Sequence, residues 1–175
     1  MKIQMIGMDH SRAPVEIRER FSFTTAGAAT AMEAVCALPG VEGCVLLSTC
    51  NRTELWVSAS GPLDLPRLLC SLKGLDPGEY GGYLVCRADG EAVEYLFALA
   101  SGLRSMILGE DQILAQVKEA LSRAREAQCC GSTLEVLFRH AVTGAKQVKS
   151  QLLLSTANAS AAELAIDRMG KEGYD

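Results

Sequence analysis

Residues 46–57 read L-L-S-T-C-N-R-T-E-L-W-V and place a short polar segment between two apolar runs. The runs at 43–49 and 52–59 are rich in residues that favour β-strands. This pattern predicts two strands joined by a turn around Cys50. The predicted hairpin forms the middle of the fold, and the segments before and after it complete the sheet.

The segments that flank the hairpin each combine a strand with helices. Upstream, a strand is predicted at 2–8, with helices at 15–21 and 24–38. Downstream, a helix is predicted at about 63–73 and a fourth strand at 81–87. The resulting order, β-α-β-β-α-β, is that of the split βαβ or ferredoxin-like arrangement.

The pattern becomes helical after Asp89. Apolar residues recur at steps of three and four in four further segments, which are 90–101, 109–128, 132–153 and 158–170. Ser132 and Glu135 fit a capping box at the start of the third segment. The predicted fold class is therefore α+β, with a ferredoxin-like core followed by a helical subdomain.

The composition is typical of an ordinary globular domain with a slight acidic excess. The chain has 175 residues, a net charge of −4 and a hydrophobic fraction of 49%, which argues against binding of nucleic acid through charge alone. No run of 18 apolar residues predicts a membrane span, and the N-terminus becomes polar too early for a signal peptide.

The seven cysteines are odd in number and include no C-x-x-C pair, and the chain has only two histidines. Without an export signal, this usage indicates reduced thiols rather than a disulfide framework. We therefore expect a cytoplasmic protein with no bound metal.

The polar turn allows two interpretations of Cys50. If the extended chain continues through the turn, Cys50 and Arg52 point to the same side, and a nearby cation favours the nucleophilic thiolate. Arg52 could instead grip a substrate carboxylate with two hydrogen bonds, while Thr49 and Asn51 supply short polar contacts. The alternative is a buried, inert cysteine beside a hairpin, which is common in proteins.

A second polar cluster lies between two predicted helices, at 101–116. Glu110 and Asp111 open the second helix, where the helix dipole favours acidic residues. Gln112 and Gln116 lie four apart, on one helical face, and can offer donors and acceptors to a polar ligand. Ordinary helix N-terminal chemistry explains the same residues.

Three separated motifs carry a family resemblance. They are G-M-D-H-S-R-A-P-V-E-I-R-E at 7–19, S-T-C-N-R-T-E at 48–54 and A-S-G-L-R-S-M-I-L-G-E-D-Q-I-L-A-Q-V-K at 100–118. In order and spacing they resemble the N-terminal catalytic domain of glutamyl-tRNA reductase. The resemblance covers nearly the whole chain and weakens after about residue 150.

The resemblance implies a reaction and a set of site residues. The family uses NADPH to reduce the glutamyl group of glutamyl-tRNA to glutamate-1-semialdehyde, for tetrapyrrole and hence porphyrin biosynthesis. Cys50 matches the nucleophile that forms a thioester. The substrate-binding positions match Thr49, Asn51, Arg52, Ser105, Glu110, Asp111, Gln112 and Gln116. The implied partners are glutamyl-tRNA, glutamate-1-semialdehyde aminotransferase and, for the full-length architecture, a second copy in a homodimer.

The sequence also departs from the family at three places. Tyr95 stands where the family usually has a histidine that matters for activity, and a neutral tyrosine is a poor proton acceptor. Tyr95 is expected either to hydrogen-bond in place of the histidine or to weaken the chemistry. Arg104 replaces a residue that is usually acidic, and the segment 147–160 differs from the family pattern.

No G-x-G-x-x-G segment occurs in the sequence. We therefore expect residues 1–155 to form the catalytic domain and 156–175 to begin a truncated connecting helix, with the NADPH-binding domain absent. Such a chain could not reduce its substrate alone. The alternative is a degenerate, non-catalytic paralogue that binds tRNA, a protein or a tetrapyrrole.

Overall fold

A computed structural model describes residues 1–103 and 111–171, with side chains for 1–103 and 112–151. Its centre is a four-stranded sheet in which every neighbouring pair of strands is antiparallel. The strands are β1 (Lys2–Asp9), β2 (Val41–Ser48), β3 (Arg52–Ala59) and β4 (Val85–Ala88). Their order across the sheet is β2-β3-β1-β4.

Seven α-helices surround the sheet in the part of the chain that the structure describes. They are α1 (Val15–Phe21), α2 (Thr25–Cys36), α3 (Leu65–Lys73), α4 (Pro77–Tyr80), α5 (Asp89–Ala100), α6 (Asp111–Glu126) and α7 (Ser132–Lys171). A 3₁₀ turn at Gly81–Tyr83 follows α4. The fold class is α+β, as predicted. None of the described helices is both long enough and apolar enough to cross a lipid bilayer.

The predicted hairpin of β2 and β3 is confirmed, with Ser48 paired to Thr53. The Thr49 amide donates to the Arg52 carbonyl oxygen at 2.9 Å. The Thr49 hydroxyl accepts from the amides of Asn51 and Arg52, each at 3.2 Å. The threonine therefore satisfies the backbone donors of the turn and holds its shape.

Strand β3 is buried along its whole length because helices cover both faces of the sheet. On one face the Trp56 ring lies 6.1 Å from the Tyr95 ring of α5 and 5.6 Å from the Phe138 ring of α7. On the other face the Thr53 hydroxyl donates to the carbonyl oxygen of Phe21 in α1. Charged residues of β3 therefore lie inside the protein.

Three sequence predictions need correction. The capping box of Ser132 and Glu135 does not form, because the Ser132 amide and hydroxyl donate to Glu42 and the Glu135 amide donates to the Gly131 carbonyl oxygen. The fourth strand begins at Val85 instead of 81, because Asp76 caps a short helix whose first residue is Pro77, where a missing amide costs nothing. The two last helices predicted at 132–153 and 158–170 are one helix, α7. The residues between them, L-S-T-A, contain no glycine or proline to end it.

Candidate functional site

Cys50 lies in the exposed turn of the hairpin, so it is not buried as the alternative interpretation expects. It borders a cleft of about 250 Å³ between the end of β2 and one face of α6. The cleft is lined by Leu47, Ser48, Thr49, Cys50, Gln116, Glu119, Ala120 and Arg123. Tertiary packing thus brings three predicted site residues together: Thr49, Cys50 and Gln116.

Arg18 of α1 holds the turn from outside. Its Nε donates to the Cys50 carbonyl oxygen at 3.2 Å, and its Nη1 donates to the Ala13 carbonyl oxygen at 2.7 Å. The guanidinium therefore fixes the backbone of Cys50 against the N-terminal loop. Sequence reasoning did not single out Arg18, although it lies in the first of the three motifs.

Arg52 belongs to a buried charge network. Its side chain is 3% exposed, and its Nη1 donates to Glu54 Oε1 at 3.0 Å and to the Tyr95 hydroxyl at 3.1 Å. The Tyr95 hydroxyl donates to the same Glu54 oxygen at 2.5 Å. Arg52 and the exposed Cys50 therefore lie in different environments, because the turn interrupts the strand alternation that would place them side by side.

Glu54 is the centre of this network and was missed by the sequence interpretation. Its second oxygen, Oε2, accepts from Trp56 Nε1 at 3.2 Å. A buried carboxylate is tolerated only when it is paired and hydrogen-bonded, and Glu54 meets both conditions. The signal that could have found it is its alternation with Arg52 and Trp56 on one face of a strand.

The network also sets the proton affinity of its members. Burial, reinforced by the Glu54 charge, raises the pKa of Tyr95 far above its ordinary value. Burial alone would lower the pKa of Arg52, but the Glu54 charge and its hydrogen bond outweigh it and raise that pKa. Tyr95 therefore stays protonated and acts as a donor to Glu54, while Arg52 stays charged.

A second cleft, of about 180 Å³, is lined in part by Glu54 and Tyr95. Its polar lining comes from Asp9, Ser11, Arg12, Glu54, Arg87 and Tyr95. The Arg87 guanidinium lies 4.2 Å from the centre of the Tyr95 ring, a cation–π contact. Burial would raise the pKa of Asp9, but hydrogen bonds from Ser11 and the Arg52 charge lower it. The cleft thus combines fixed charges of both signs.

The remaining predicted residues are only partly placed. Ser105 and Glu110 lie outside the described residues, as does Arg104, and Asp111 is described by its backbone alone, at the start of α6. Gln112 is exposed on α6 and does not line the cleft at Cys50. Asn51 is half-buried in the turn.

The described residues do not fit NADPH as a dinucleotide fold would hold it. Such folds use parallel strands and a glycine-rich turn that leads into a helix, whereas all strand pairs here are antiparallel. Within the same described residues, no group of three or more His, Cys, Asp or Glu side chains is arranged to hold a metal ion.

The comparisons with known proteins agree on one family. The sequence model of the glutamyl-tRNA(Glu) reductase N-terminal domain matches residues 6–152. A glutamyl-tRNA reductase of Acetivibrio thermocellus is 42% identical over 168 residues, which cover 95% of this chain and 51% of that protein. A probable multifunctional siroheme biosynthesis protein of Ruminiclostridium josui is 39% identical over 175 residues, covering 98% of this chain and 34% of that protein.

A solved structure agrees with these sequence matches. The glutamyl-tRNA reductase from Methanopyrus kandleri superimposes with a TM-score of 0.71 and 32% identity, over 85% of this chain and 34% of that one. The chain therefore spans about half the length of the first relative and about a third of the other two. The chain belongs to the glutamyl-tRNA reductase N-terminal domain family.

Proposed function

We propose that this chain is the catalytic domain of a glutamyl-tRNA reductase and that Cys50 is its nucleophile. The observation that carries the proposal is the exposed Cys50 at a braced turn, beside a cleft that α6 closes. The Cys50 sulfur attacks the ester carbonyl of glutamyl-tRNA, a thioester forms, and the tRNA hydroxyl leaves with a proton. The full protein would convert this thioester to glutamate-1-semialdehyde for tetrapyrrole biosynthesis.

The substrate-binding residues form two proposed groups. Thr49, Asn51 and Gln116 lie at or next to Cys50, where they can hold the glutamyl group beside the sulfur. Arg52 is the proposed partner of the glutamate carboxylate, but its guanidinium is buried and paired with Glu54, so binding would require it to exchange that carboxylate for the substrate's. The family resemblance adds Ser105, Glu110, Asp111 and Gln112 to this set.

Tyr95 takes the place of the family histidine in this proposal. Its raised pKa and its hydrogen bond to Glu54 support a role as donor, not as proton acceptor. It fixes Glu54 and, through it, the direction of Arg52. The proton that Cys50 releases therefore goes to another acceptor or to water.

NADPH, which the family reaction requires, would be held by residues other than those described. The proposed chemistry of this chain accordingly ends at the thioester. We also propose that residues 1–155 are the catalytic domain and that 156–175 begin the connecting helix. The unbroken course of α7 across residue 155 supports a rigid connection.

The sheet supports a finer description of the core as ferredoxin-like. In the proposed arrangement, the two strand–helix–strand units interleave so that β1 and β3 are central, and the observed order β2-β3-β1-β4 has this form. Two helices, α1 and α2, connect β1 to β2, and α3 and α4 lie between β3 and β4.

A tRNA substrate suggests where the partners bind. Lys118, Arg139 and Lys146 are exposed on α6 and α7, and such side chains can bind the phosphate backbone. We extend the family's other partners, the semialdehyde aminotransferase and a second reductase copy, to the full-length protein. A tRNA substrate and reduced thiols favour a cytoplasmic location.

The alternative function is a non-catalytic paralogue that binds tRNA, a protein or a tetrapyrrole. Tyr95 at the histidine position is the observation that favours it. It predicts binding of glutamyl-tRNA without transfer of the glutamyl group.

The deciding experiment is intact-mass analysis after the protein is mixed with glutamyl-tRNA in the absence of NADPH. We expect one glutamyl adduct on the wild type and on Cys86→Ser, which removes another exposed thiol, and none on Cys50→Ser. Retained tRNA binding without any adduct would support the binding module, and an adduct on Cys50→Ser would refute Cys50 as the nucleophile.

A further inference from the structure

A second group of thiols lies away from Cys50, where the end of α2 meets β2. Cys36 is the last residue of α2, and its Sγ lies 3.6 Å from the Sγ of Cys44 in β2. Cys44 is fully buried, whereas Cys36 is half-buried. The two sulfurs are in van der Waals contact, and an approach of about 1.6 Å would bring them to the bonding distance of about 2 Å.

The two thiols differ in reactivity. The two sulfurs share a hydrogen bond in which either can be the donor, and this contact lowers the pKa of Cys36 to about 6 although burial opposes it. The same hydrogen bond, together with burial, raises the pKa of Cys44 well above its ordinary value. A partly accessible thiol of lowered pKa in contact with a buried thiol is the arrangement expected of an oxidisable cysteine and its resolving partner.

Cys129 is the nearest competitor for the resolving role. Its carbonyl oxygen accepts from the Cys44 amide at 2.7 Å and from Cys36 Sγ at 3.4 Å. Its own thiol donates to the Ala127 carbonyl oxygen at 3.2 Å, and burial raises its pKa to about 11. Its backbone therefore fixes the pair, while the direct sulfur–sulfur contact at 3.6 Å favours Cys44.

We propose that Cys36 and Cys44 form an oxidation site at which a peroxide closes a disulfide between α2 and β2. The bond would fasten the end of α2 to the strand that leads directly into the Cys50 turn. This site is separate from the proposed acyl-transfer chemistry and does not depend on it.

The reaction balances with a peroxide as the only oxidant. The Cys36 thiolate attacks one peroxide oxygen, the O–O bond breaks, and the leaving hydroxide or alkoxide takes up a proton. The resulting sulfenic acid is attacked by the Cys44 sulfur, the S–S bond forms, and the S–O bond breaks with release of water. Two thiols are oxidised to one disulfide, and one peroxide is reduced.

The test uses the Cys50→Ser variant, which lacks the proposed nucleophile, so that the result does not depend on the proposed acyl transfer. The protein is treated with hydrogen peroxide, free thiols are alkylated, and disulfide-linked peptides are mapped by mass spectrometry. We expect a Cys36–Cys44 link that forms roughly tenfold faster than oxidation of the exposed Cys86, because thiolate character controls the rate.

Two further variants separate the partners of Cys36. Cys44→Ala should stop at a sulfenic acid on Cys36 that dimedone captures, and Cys129→Ala should still form the Cys36–Cys44 link. A Cys36–Cys129 link, or full alkylation of Cys36 after a dose that oxidises Cys86, would overturn the proposal. If Cys44→Ala does not fold, the peptide map of the protein with both thiols present decides alone.

Discussion

Cys50 and Glu54 are four residues apart in the chain and lie in opposite environments. Cys50 is exposed in the hairpin turn, where Arg18 holds its backbone. Glu54 is 1% exposed and accepts hydrogen bonds from Arg52, Tyr95 and Trp56. The hairpin therefore exposes a thiol in its turn and, a few residues along β3, buries a charge network.

Because of this difference, we expect Cys50 and Glu54 to contribute to different properties of the protein. A nucleophile must be accessible to its substrate, so substitution of Cys50 should slow formation of the glutamyl adduct and leave the stability of the fold unchanged. A buried ion pair is costly to disrupt, so its removal should affect stability first. Three substitutions test this separation and a fourth tests a less buried carboxylate, from the largest expected effect to the smallest.

Cys50→Ser should slow glutamyl adduct formation by roughly a thousandfold or more, because the acyl group loses its acceptor. The free energy of unfolding should change by less than about 0.5 kcal/mol, since the side chain is exposed. Intact mass measures the first quantity and urea denaturation the second. Destabilisation by several kcal/mol would show that Cys50 also has a structural role.

Glu54→Ala should lower the free energy of unfolding by about 3–5 kcal/mol, because the Arg52 charge would stay buried without its carboxylate. Urea denaturation checks this value. The control is Glu94→Ala, which removes an exposed glutamate of α5 and should cost less than about 0.5 kcal/mol. Equal effects of the two substitutions would contradict a structural role for the network.

Tyr95→Phe should cost about 1–3 kcal/mol, since it removes the hydroxyl that links Arg52 and Glu54 while keeping the ring against Trp56. Adduct formation should slow roughly tenfold, with an unchanged pH profile, because Tyr95 acts by positioning Arg52. Single-turnover rates across pH measure this. Complete loss of the adduct in a folded variant would instead give Tyr95 a direct chemical role.

Glu42 differs from Glu54 because its described hydrogen bonds come from Ser58, Ser132 and Thr133 and include none from an arginine. Burial would raise its pKa, but donors from Ser132, Thr133 and Ser58 lower it to about 2. Its stabilising effect is therefore complete above the unfolded pKa and is lost as pH falls toward 2. The loss should amount to about 1–2 kcal/mol after solvent screening.

Glu42→Gln should remove this part of the pH dependence. The measurement is the free energy of unfolding of both proteins between about pH 5 and about pH 2. Parallel curves would show that the capping hydrogen bonds at the start of α7 do not depend on the charge of Glu42.

The sequence by itself determined the order of the elements and the place of the nucleophile candidate. Two runs of β-favouring residues around a polar turn are local signals, so the hairpin follows from neighbouring residues alone, whereas the exposure of Cys50 was established by the structure. The three spaced motifs were sufficient to identify the family. The start of β4 and the continuity of α7 were predicted less well. A helix cap at Asp76 decides the first and the absence of a helix breaker decides the second, and each depends on one or a few residues.

Only the tertiary structure decided which side chains meet. Arg52 reaches Tyr95 across 43 positions of sequence, and Cys36 reaches the backbone of Cys129 across 93. No periodic pattern encodes such pairs, because they depend on how helices pack on the two faces of the sheet. The same packing removed Arg52 from solvent, which strand alternation around an exposed turn could not predict. Local sequence thus determined the turn that contains Cys50, and packing of distant helices on the sheet determined which charged side chains are buried next to it.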